Sequence, residues 1–398
     1  MPWSKTSPMD QRLQFIAQFL QHRGSVVELC DRFGISRKTA YKWFARYMAD
    51  GPVGLLERSR RPRSCPHTIP RDVVDALLEI RRRHPSWGAK KLLTILQNRR
   101  PELPPPARST VCDLLKRHGL VKSPRRRRRL GHPGRPMTVM SAPNLVWTAD
   151  FKGQFRTRDG AYCYPLTVAD GFSRYLLGCQ ALLHPSHATS KPVFERLFRE
   201  YGLPQLIRTD NGAPFATTAL GRLSELSVWW IRLGIRPELT EPASPQQNGR
   251  HERMHRTLKA ETTRPAAATC SAQQRSFNRF RQTFNEERPH EALGQKTPAS
   301  IYQPSSRSFP RRVPPIDYPS HFEVRLVSRN GGIRWNCAWV NVSHVLGEQY
   351  VGLEEVDDGL WDLYFSSMKL GQLQERTLRV EDHYGRTARK NVSPMSPD

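Results

Sequence analysis

The chain has 398 residues, of which 37% are hydrophobic, and this length predicts two to four domains with buried cores. Its formal net charge of +27 predicts a polyanionic partner. The charge is concentrated in residues 1–140, which carry 30 Lys or Arg against 10 Asp or Glu. The sequence has no apolar run of membrane-spanning length and no secretory apolar segment at its N-terminus, so we expect nucleic acid rather than a membrane as the partner. Seven cysteines without a CxxC spacing favour a reducing compartment.

Residues 1–53 are predicted to form a helix-turn-helix domain. Apolar residues recur at helical spacing in a first helix, Ser25 can cap a second, and Gly34 breaks that helix before Ser36 caps a third. The third helix carries four basic residues that we expect to contact DNA, namely Arg37, Lys38, Lys42 and Arg46. An ordinary helical hairpin with a solvated basic face is the alternative interpretation.

Two basic linkers flank a second helical domain. Residues 54–70 are rich in arginine and proline, and residues 71–122 contain apolar stripes that predict a second DNA-binding helical domain with a weaker helix-turn-helix signal. Residues 123–142 contain five consecutive arginines. We expect this run to follow a DNA backbone, with a nuclear address as the alternative, and its first three members are Arg125, Arg126 and Arg127.

The second half of the chain changes to a β-rich pattern. Three antiparallel strands, a helix and a further strand predict a mixed α/β sheet with helices on it, within a core of residues 143–303. Residues 321–380 alternate again and predict a small all-β barrel. The predicted fold class is therefore multidomain, with an α-helical N-terminal region, an α/β core and a C-terminal β-barrel.

Three acidic residues occupy settings that a solvated surface group rarely has. Asp150 lies in an apolar strand, Asp210 ends the next core strand, and Glu252 lies one turn into a predicted helix. Carboxylates from two strands and a helix can converge on two divalent ions, and hard oxygen ligands favour Mg²⁺ or Mn²⁺. We therefore predict that these three acids are both the catalytic residues and the metal ligands.

Two cations share the predicted helix face of Glu252. Arg256 and Lys259 follow it by four and seven residues, so we expect them to hold a DNA phosphate beside the metals. An exposed salt bridge is the alternative for this spacing. His251 is adjacent to Glu252 and can assist catalysis, although a structural or DNA-facing role is the more ordinary interpretation.

Residues 143–300 resemble the catalytic cores of retroviral integrases and bacterial insertion-sequence transposases, the DDE enzymes. The motifs that carry this resemblance are Trp147-Thr148-Ala149-Asp150, Arg208-Thr209-Asp210-Asn211-Gly212, Ser244-Pro245-Gln246-Gln247-Asn248-Gly249-Arg250-His251-Glu252-Arg253, Asn285-Glu286-Glu287-Arg288-Pro289-His290 and Thr297-Pro298. The resemblance implies a ribonuclease-H-like fold in which the three acids bind metal, and it implies that Arg256 and Lys259 contact the end of a mobile element.

The implied activity is that of a transposase, which cleaves element ends and joins 3′-hydroxyl ends to target DNA by two-metal phosphoryl transfer. The implied partners are double-stranded DNA, as element end and as target, and further copies of the chain assembled on that DNA. The expected location is the bacterial cytoplasm, at the nucleoid. The alternatives are a hydrolytic metal-dependent nuclease and a DNA-binding repressor derived from a transposase.

The sequence departs from the family pattern in its spacing. Between Asp210 and Glu252 there are 41 residues, which is more than is common, and we expect the extra length to lie between Phe215 and Gly234 with its two tryptophans packed on the sheet. Glu241 lies nearer to Asp210, but it precedes a proline and lacks the helix context, so we prefer Glu252. The sequence contains no His-His-Cys-Cys zinc unit, so its N-terminal region resembles that of the bacterial transposases.

Overall fold

A computed structural model gives the fold, and it describes residues 7–59, 68–121, 137–241, 247 and 249–382. The chain divides into two compact units between Ile69 and Pro70. The arginine run with Arg125, Arg126 and Arg127 lies outside the described residues. Within the described ranges, no helix has both the length and the apolar character needed to cross a membrane.

The first unit contains the three helices that the sequence predicts, and their ends follow from capping residues. They are α1 (Pro8–Leu20), α2 (Val26–Phe33) and α3 (Arg37–Asp50). The Ser25 side chain caps α2 in a reciprocal pair with Glu28, and Gly34 ends that helix with a φ of 62°. Ser36 then accepts a hydrogen bond from the Thr39 amide at the start of α3. The helices enclose a small core of buried side chains, among them Phe15, Leu29, Trp43 and Leu55.

The second unit begins with three further helices. They are α4 (Arg71–Arg83), α5 (Ala89–Arg99) and α6 (Arg108–Arg117). Each buries one apolar stripe, and Leu77, Trp87, Leu92 and Val111 are 0–1% exposed. The apolar periodicity of this segment therefore forms the helices that it predicts.

A six-stranded mixed sheet forms the centre of the second unit. Its strands are β1 (Val146–Phe151), β2 (Phe155–Arg156), β3 (Tyr162–Asp170), β4 (Leu176–Leu182), β5 (Leu206–Thr209) and β6 (Arg236–Leu239). The order is β2-β3-β1-β5-β6, with β4 also paired to β3. The β1–β3 and β3–β4 pairs are antiparallel, whereas β1–β5 and β5–β6 are parallel. The parallel pairs bring the carboxyl ends of β1 and β5 to the same edge of the sheet.

Helices supply the remaining apolar surface of this core. They are α7 (His187–Tyr201), α8 (Glu225–Arg232), α9 (Gly249–Thr262) and α10 (Cys270–Gln282). One cluster joins the sheet residue Trp147 to Phe194 of α7 and Trp230 of α8. A second cluster joins sheet side chains to Leu258 of α9 and Phe277 of α10. The α/β core fold that the sequence predicts is therefore present.

The C-terminal region is an open sheet, so the prediction of a small all-β barrel over residues 321–380 was wrong in its closure. Its strands are β7 (Glu323–Leu326), β8 (Gly332–Trp335), β9 (Ala338–Asn341), β10 (Tyr350–Asp357), β11 (Leu360–Phe365), β12 (Met368–Gln374) and β13 (Arg379–Glu381). Five antiparallel strands follow the order β13-β12-β11-β10-β7, and β8 and β9 form a separate hairpin. Among the described residues the edge strands β7 and β13 do not pair with each other, so the sheet does not close.

The physical reason for the open sheet lies in the α/β core. Leu220, Leu223, Val228 and Ile231 share one buried cluster with side chains of the C-terminal sheet, such as Leu353 and Phe365. These four residues belong to the long segment between Asp210 and Glu252. This segment therefore covers the apolar face of the open sheet together with side chains of the β8–β9 hairpin, such as Trp335 and Val340.

Candidate active site

Two of the predicted catalytic acids lie at the same edge of the sheet. Thr148 of β1 is paired in parallel with Arg208 of β5. Asp150 and Asp210 each follow their paired residue by two positions, so the register brings them to neighbouring strand ends. Glu252 lies in the first turn of α9. The negative charges of Asp210 and Glu252 both raise the pKa of Asp150, so each of these carboxylates lies within electrostatic reach of Asp150.

The electrostatic environment of Asp150 and Asp210 favours the binding of a cation. Burial raises the pKa of Asp150 to about 7, and the charge of Asp210 adds to this effect. Burial also raises the pKa of Asp210, although the backbone amide of Gly212 donates a hydrogen bond of 3.3 Å to its carboxylate. Such a cluster is destabilised by desolvation and by repulsion between like charges. A bound divalent cation would offset both effects.

Two buried histidines support Asp150 from α9. His251 lies between two hydroxyls, with its Nδ1 2.9 Å from Thr148 Oγ1 and its Nε2 2.6 Å from Thr167 Oγ1. His255 Nε2 is also 2.6 Å from Thr167 Oγ1, and its Nδ1 is 3.7 Å from a carboxylate oxygen of Asp150. Burial lowers the pKa of His251 to about 3 and lowers that of His255 as well. Both rings are therefore neutral at pH 7, and they fix the helix against β1 and β3.

The same residues form a second possible donor set. Ligand atoms of Asp150, His251 and His255 all lie within 4.8 Å of one another. Three ring nitrogens of these histidines already face threonine hydroxyls at hydrogen-bond distance. A set of two imidazoles and one carboxylate suits a transition metal, whereas the oxygen-only set of Asp150, Asp210 and Glu252 suits Mg²⁺ or Mn²⁺.

The predicted DNA-contact residues lie mostly in solvent. Arg256 and Lys259 are exposed, like Glu252, and follow it at helical spacing on α9. In the first unit Arg37 and Lys38 are exposed at the start of α3. Lys42 is exposed as well, while Arg46 is half-buried, and both approach the ring of Trp43 at 4.4 and 5.0 Å from its centroid.

Sequence reasoning missed two residues of this site. His255 follows His251 by four positions, a spacing that places both on one helix face, so periodicity could have identified it. Thr167 could not have been found in this way, because only the antiparallel pairing of β3 with β1 sets it opposite Asp150.

Family comparisons agree with this architecture. Models described as integrase core domains match residues 140–245 and 233–298. A helix-turn-helix domain model matches residues 11–63, and a homeodomain-like model matches residues 39–115.

Relatives are found among insertion elements and retroviruses. An uncharacterized 39.2 kDa protein of insertion element IS476 from Xanthomonas euvesicatoria is 27% identical over 255 residues, which cover 63% of this chain and 70% of that protein. A 31.7 kDa protein of insertion element IS407 from Burkholderia multivorans is 28% identical over 42% of this chain and 57% of its own length. The Gag-Pol polyprotein of baboon endogenous virus is 30% identical over 33% of this chain, a match that spans only 7% of the polyprotein.

Solved structures with similarity to the chain include two retroviral assemblies. The HTLV-2 integrase catalytic core domain in complex with magnesium aligns with 41% of this chain and 99% of its own, at 17% identity and a TM-score of 0.33. The simian T-cell lymphotropic virus intasome in complex with a PP2A regulatory subunit aligns with 74% of this chain and 97% of its own, at 17% identity and a TM-score of 0.35.

Proposed function

Since the chain belongs to the DDE transposases and integrases by its integrase core and helix-turn-helix domains, we propose that it is a DNA transposase that cleaves element ends and joins their 3′-hydroxyls to target DNA. The observation that supports this proposal most directly is the convergence of three carboxylates. Asp150 and Asp210 lie at adjacent strand ends, and the charge of Glu252 on α9 raises the pKa of Asp150.

Asp150, Asp210 and Glu252 would hold two divalent ions, Mg²⁺ or Mn²⁺. The fit rests on the donor chemistry: the three side chains offer hard oxygen ligands, and the pKa values of two of them are raised, so a nearby divalent cation would stabilise their charged forms. When bound, the ions supply activation of an attacking water or hydroxyl and stabilisation of the leaving oxygen.

The protein's own residues position the reactants. Arg256 and Lys259 extend from the same helix as Glu252 into solvent and would bind a phosphate of the element end. His251 and His255, both neutral, hold α9 against β1 and β3 through the Thr148 and Thr167 hydroxyls. The helix thereby keeps the third carboxylate in register with the first two. No protein nucleophile is required for this reaction.

DNA recognition is assigned to the helical regions. The exposed residues at the start of α3, Arg37 and Lys38, lie where a recognition helix contacts base edges. Arg125, Arg126 and Arg127 would add sequence-independent affinity for the phosphate backbone.

A strand-transfer assay tests the proposal. The purified chain is incubated with duplexes from both ends of the candidate element, with target plasmid and with Mg²⁺, and joined products are resolved on a denaturing gel. Joined products are expected. Cleaved but unjoined ends would instead identify a hydrolytic nuclease, and specific binding without cleavage would identify a repressor.

A further inference from the structure

Helix α9 presents a second basic face, away from Glu252. Arg250, Arg253 and Thr257 recur at intervals of three and four residues, so they share one stripe of the helix. At 100° per residue the centre of this stripe lies roughly 125° around the helix from the centre of the stripe of Glu252, Arg256 and Lys259. The two stripes therefore lie on different sides of α9, and Arg253 is the member of the second stripe that lies next to the first.

This second face lines a partly enclosed cavity of about 230 Å³. Three further cations reach the cavity from other elements: Lys91 from α5, Arg174 from the turn between β3 and β4, and Arg288 from the segment after α10. With Arg250 and Arg253, five cationic side chains line the cavity, against the two carboxylates of Asp170 and Glu291. The motif around Arg288 and His290, which the three-carboxylate site does not involve, supplies part of its wall.

The two carboxylates are largely engaged elsewhere. Asp170 accepts hydrogen bonds from the Asn144 amide at 2.8 Å and from the amide and hydroxyl of Ser173 at 2.8 and 2.6 Å. Glu291 is an exposed residue that forms an ion pair with Lys90, outside the cavity lining. Arg288 also forms an ion pair of 3.2 Å with Glu261, which lies outside the cavity lining. The five cations of the lining therefore still outnumber these three carboxylates.

The conformation and the hydrogen bonding of Arg174 indicate a ligand-binding residue. It has a φ of 66°, a left-handed conformation that is costly for a side chain other than glycine. Its buried Nε has no hydrogen-bond partner among the described residues. Burial, together with the charges of Arg250 and Arg253, lowers the pKa of Arg174 to about 10 against an opposing effect of Asp170. An anion in the cavity would supply the missing acceptor and relieve this repulsion.

Lys91 of α5 is a second partly buried cation that indicates an anion-binding cavity. Its ammonium donates to the Pro289 carbonyl, which joins α5 to the segment after α10. Burial lowers the pKa of Lys91 to about 8, with a further contribution from the charge of Arg288. Phosphate binds well where several partly buried cations lie close together, because its negative charge offsets their desolvation and their mutual repulsion.

We propose that this cavity binds a phosphate group, through Arg174 and Arg253 together with Arg250, Arg288 and Lys91. The phosphate belongs either to a DNA backbone, held on a different side of α9 from Glu252, or to a free phosphate compound. The cavity borders the candidate active site, because Thr148 and His251 also line it. Because Lys91 and Arg253 lie on different elements, a phosphate here would also fasten the α4–α6 helices to α9. The inference does not depend on metal binding or on strand transfer.

The test uses the full chain in EDTA, so that catalysis plays no part, with two variants and a matched control. Arg174→Gln and Arg253→Gln each remove one cation of the cavity, and Arg253 is exposed, so that variant will fold. Arg275→Gln removes one exposed cation of α10, outside the cavity lining. In one arm, inorganic phosphate is compared with chloride at equal ionic strength by thermal unfolding. In the other arm, the affinity for a short duplex is measured over a series of salt concentrations.

Phosphate is expected to raise the Tm of the natural chain and of Arg275→Gln, and to lose most of this effect in both cavity variants. If the ligand is a DNA phosphate, the slope of log K against log salt also becomes less steep by about 0.9 in the cavity variants, and by clearly less in Arg275→Gln. A loss in the phosphate arm alone identifies a free phosphate compound as the ligand. Equal behaviour of all four proteins in both arms overturns the proposal.

Discussion

At the scale of single residues, the environment of each carboxylate distinguishes its role. Asp150 is half-buried near two other acids and has a raised pKa, whereas the fully buried Asp170 is held by three donated hydrogen bonds from Asn144 and Ser173. Burial alone therefore does not mark a metal ligand. Partial burial together with repulsion from neighbouring carboxylates is what makes Asp150 a candidate ligand.

The assignment of the third acid can be tested by a matched pair of variants. Glu252→Gln removes a ligand charge and keeps the side-chain size, so we expect it to lower strand transfer by at least about 10³-fold, the scale of losing a catalytic group. Asp150→Asn and Asp210→Asn should have the same effect, with DNA binding largely kept. Glu241→Gln is the control and should retain activity. Near-normal turnover of Glu252→Gln, with loss in Glu241→Gln, would transfer the role to Glu241.

A pH dependence follows from the raised pKa of Asp150. Its pKa is 3.8 in the unfolded reference and about 7 in the folded chain, so between these values the folded state holds a proton that the unfolded state has lost. Without metal, the contribution of this group to the free energy of unfolding therefore falls as pH rises from about 4 to about 7, and stays low above.

Asp150→Asn removes this penalty, so in EDTA we expect its Tm to exceed that of the natural chain, and by more at pH 8 than at pH 5. Each kcal/mol of added stability corresponds to about 2–4 °C in a domain of this size. Mg²⁺ should then raise the Tm of the natural chain but not that of the variant. Asp159→Asn is the control, since hydrogen bonds in its turn lower the pKa of Asp159 and its loss gives no gain. An equal or lower Tm for Asp150→Asn at pH 8 would contradict the raised pKa.

At the scale of elements, helices divide their faces between packing and recognition. The buried side of α3 carries Trp43, while Arg37 and Lys38 are exposed in its first turn, just after the Ser36 cap. Helix α9 buries His251 and His255 and exposes Glu252 and Arg256. One helical period thus fixes both the core contacts and the direction of the functional groups.

The recognition role of α3 predicts a change in sequence preference. Arg37→Ala or Lys38→Ala should weaken binding of the full chain to element-end DNA by about 1–3 kcal/mol, roughly 5- to 150-fold, and should weaken binding to random duplex much less. Arg32→Ala provides the control, because Arg32 is an exposed cation of α2 that hydrogen-bonds Gln18. Competition binding with both DNAs measures the ratio. An equal loss on both DNAs would limit α3 to backbone contacts.

At the scale of the whole molecule, one chain provides one carboxylate cluster within the described residues, whereas transposition joins two ends to one target. The active form should therefore be at least a dimer on paired ends. The net charge of +27 opposes association of free chains at low salt, and DNA would screen this repulsion. The C-terminal sheet contributes a possible contact, because Trp339 is 45% exposed while Trp335 is buried in its own core.

Light scattering of the chain mixed with end duplexes in Ca²⁺, followed by transfer to Mg²⁺, measures the mass of the competent complex. We expect at least two chains in each complex, and an excess of single chains without DNA. Trp339→Ser should reduce the share of paired complexes if the C-terminal sheet takes part. A strand-transfer-competent complex with a single chain would contradict the dimer prediction.

The sequence by itself determined the features that depend on local chemistry. Helical periodicity and capping residues predicted α1–α3 and α9, strand alternation predicted the sheet of the core, and the motifs around Asp150, Asp210 and Glu252 indicated the candidate site. The residues that make up each of these signals lie within a few positions of one another. Each signal can therefore be recognised in one short segment of the chain.

Only the tertiary structure decided the features that join distant segments. Thr167 faces His251 because β3 pairs with β1, and the cavity cations Lys91, Arg174 and Arg288 meet although more than a hundred residues separate Arg174 from Arg288. Leu220 and Ile231, from the segment between two of the acids, pack against the apolar face of the open C-terminal sheet. Alternation specifies a strand and its two faces, but the partner that covers a face depends on which distant surface packs against it.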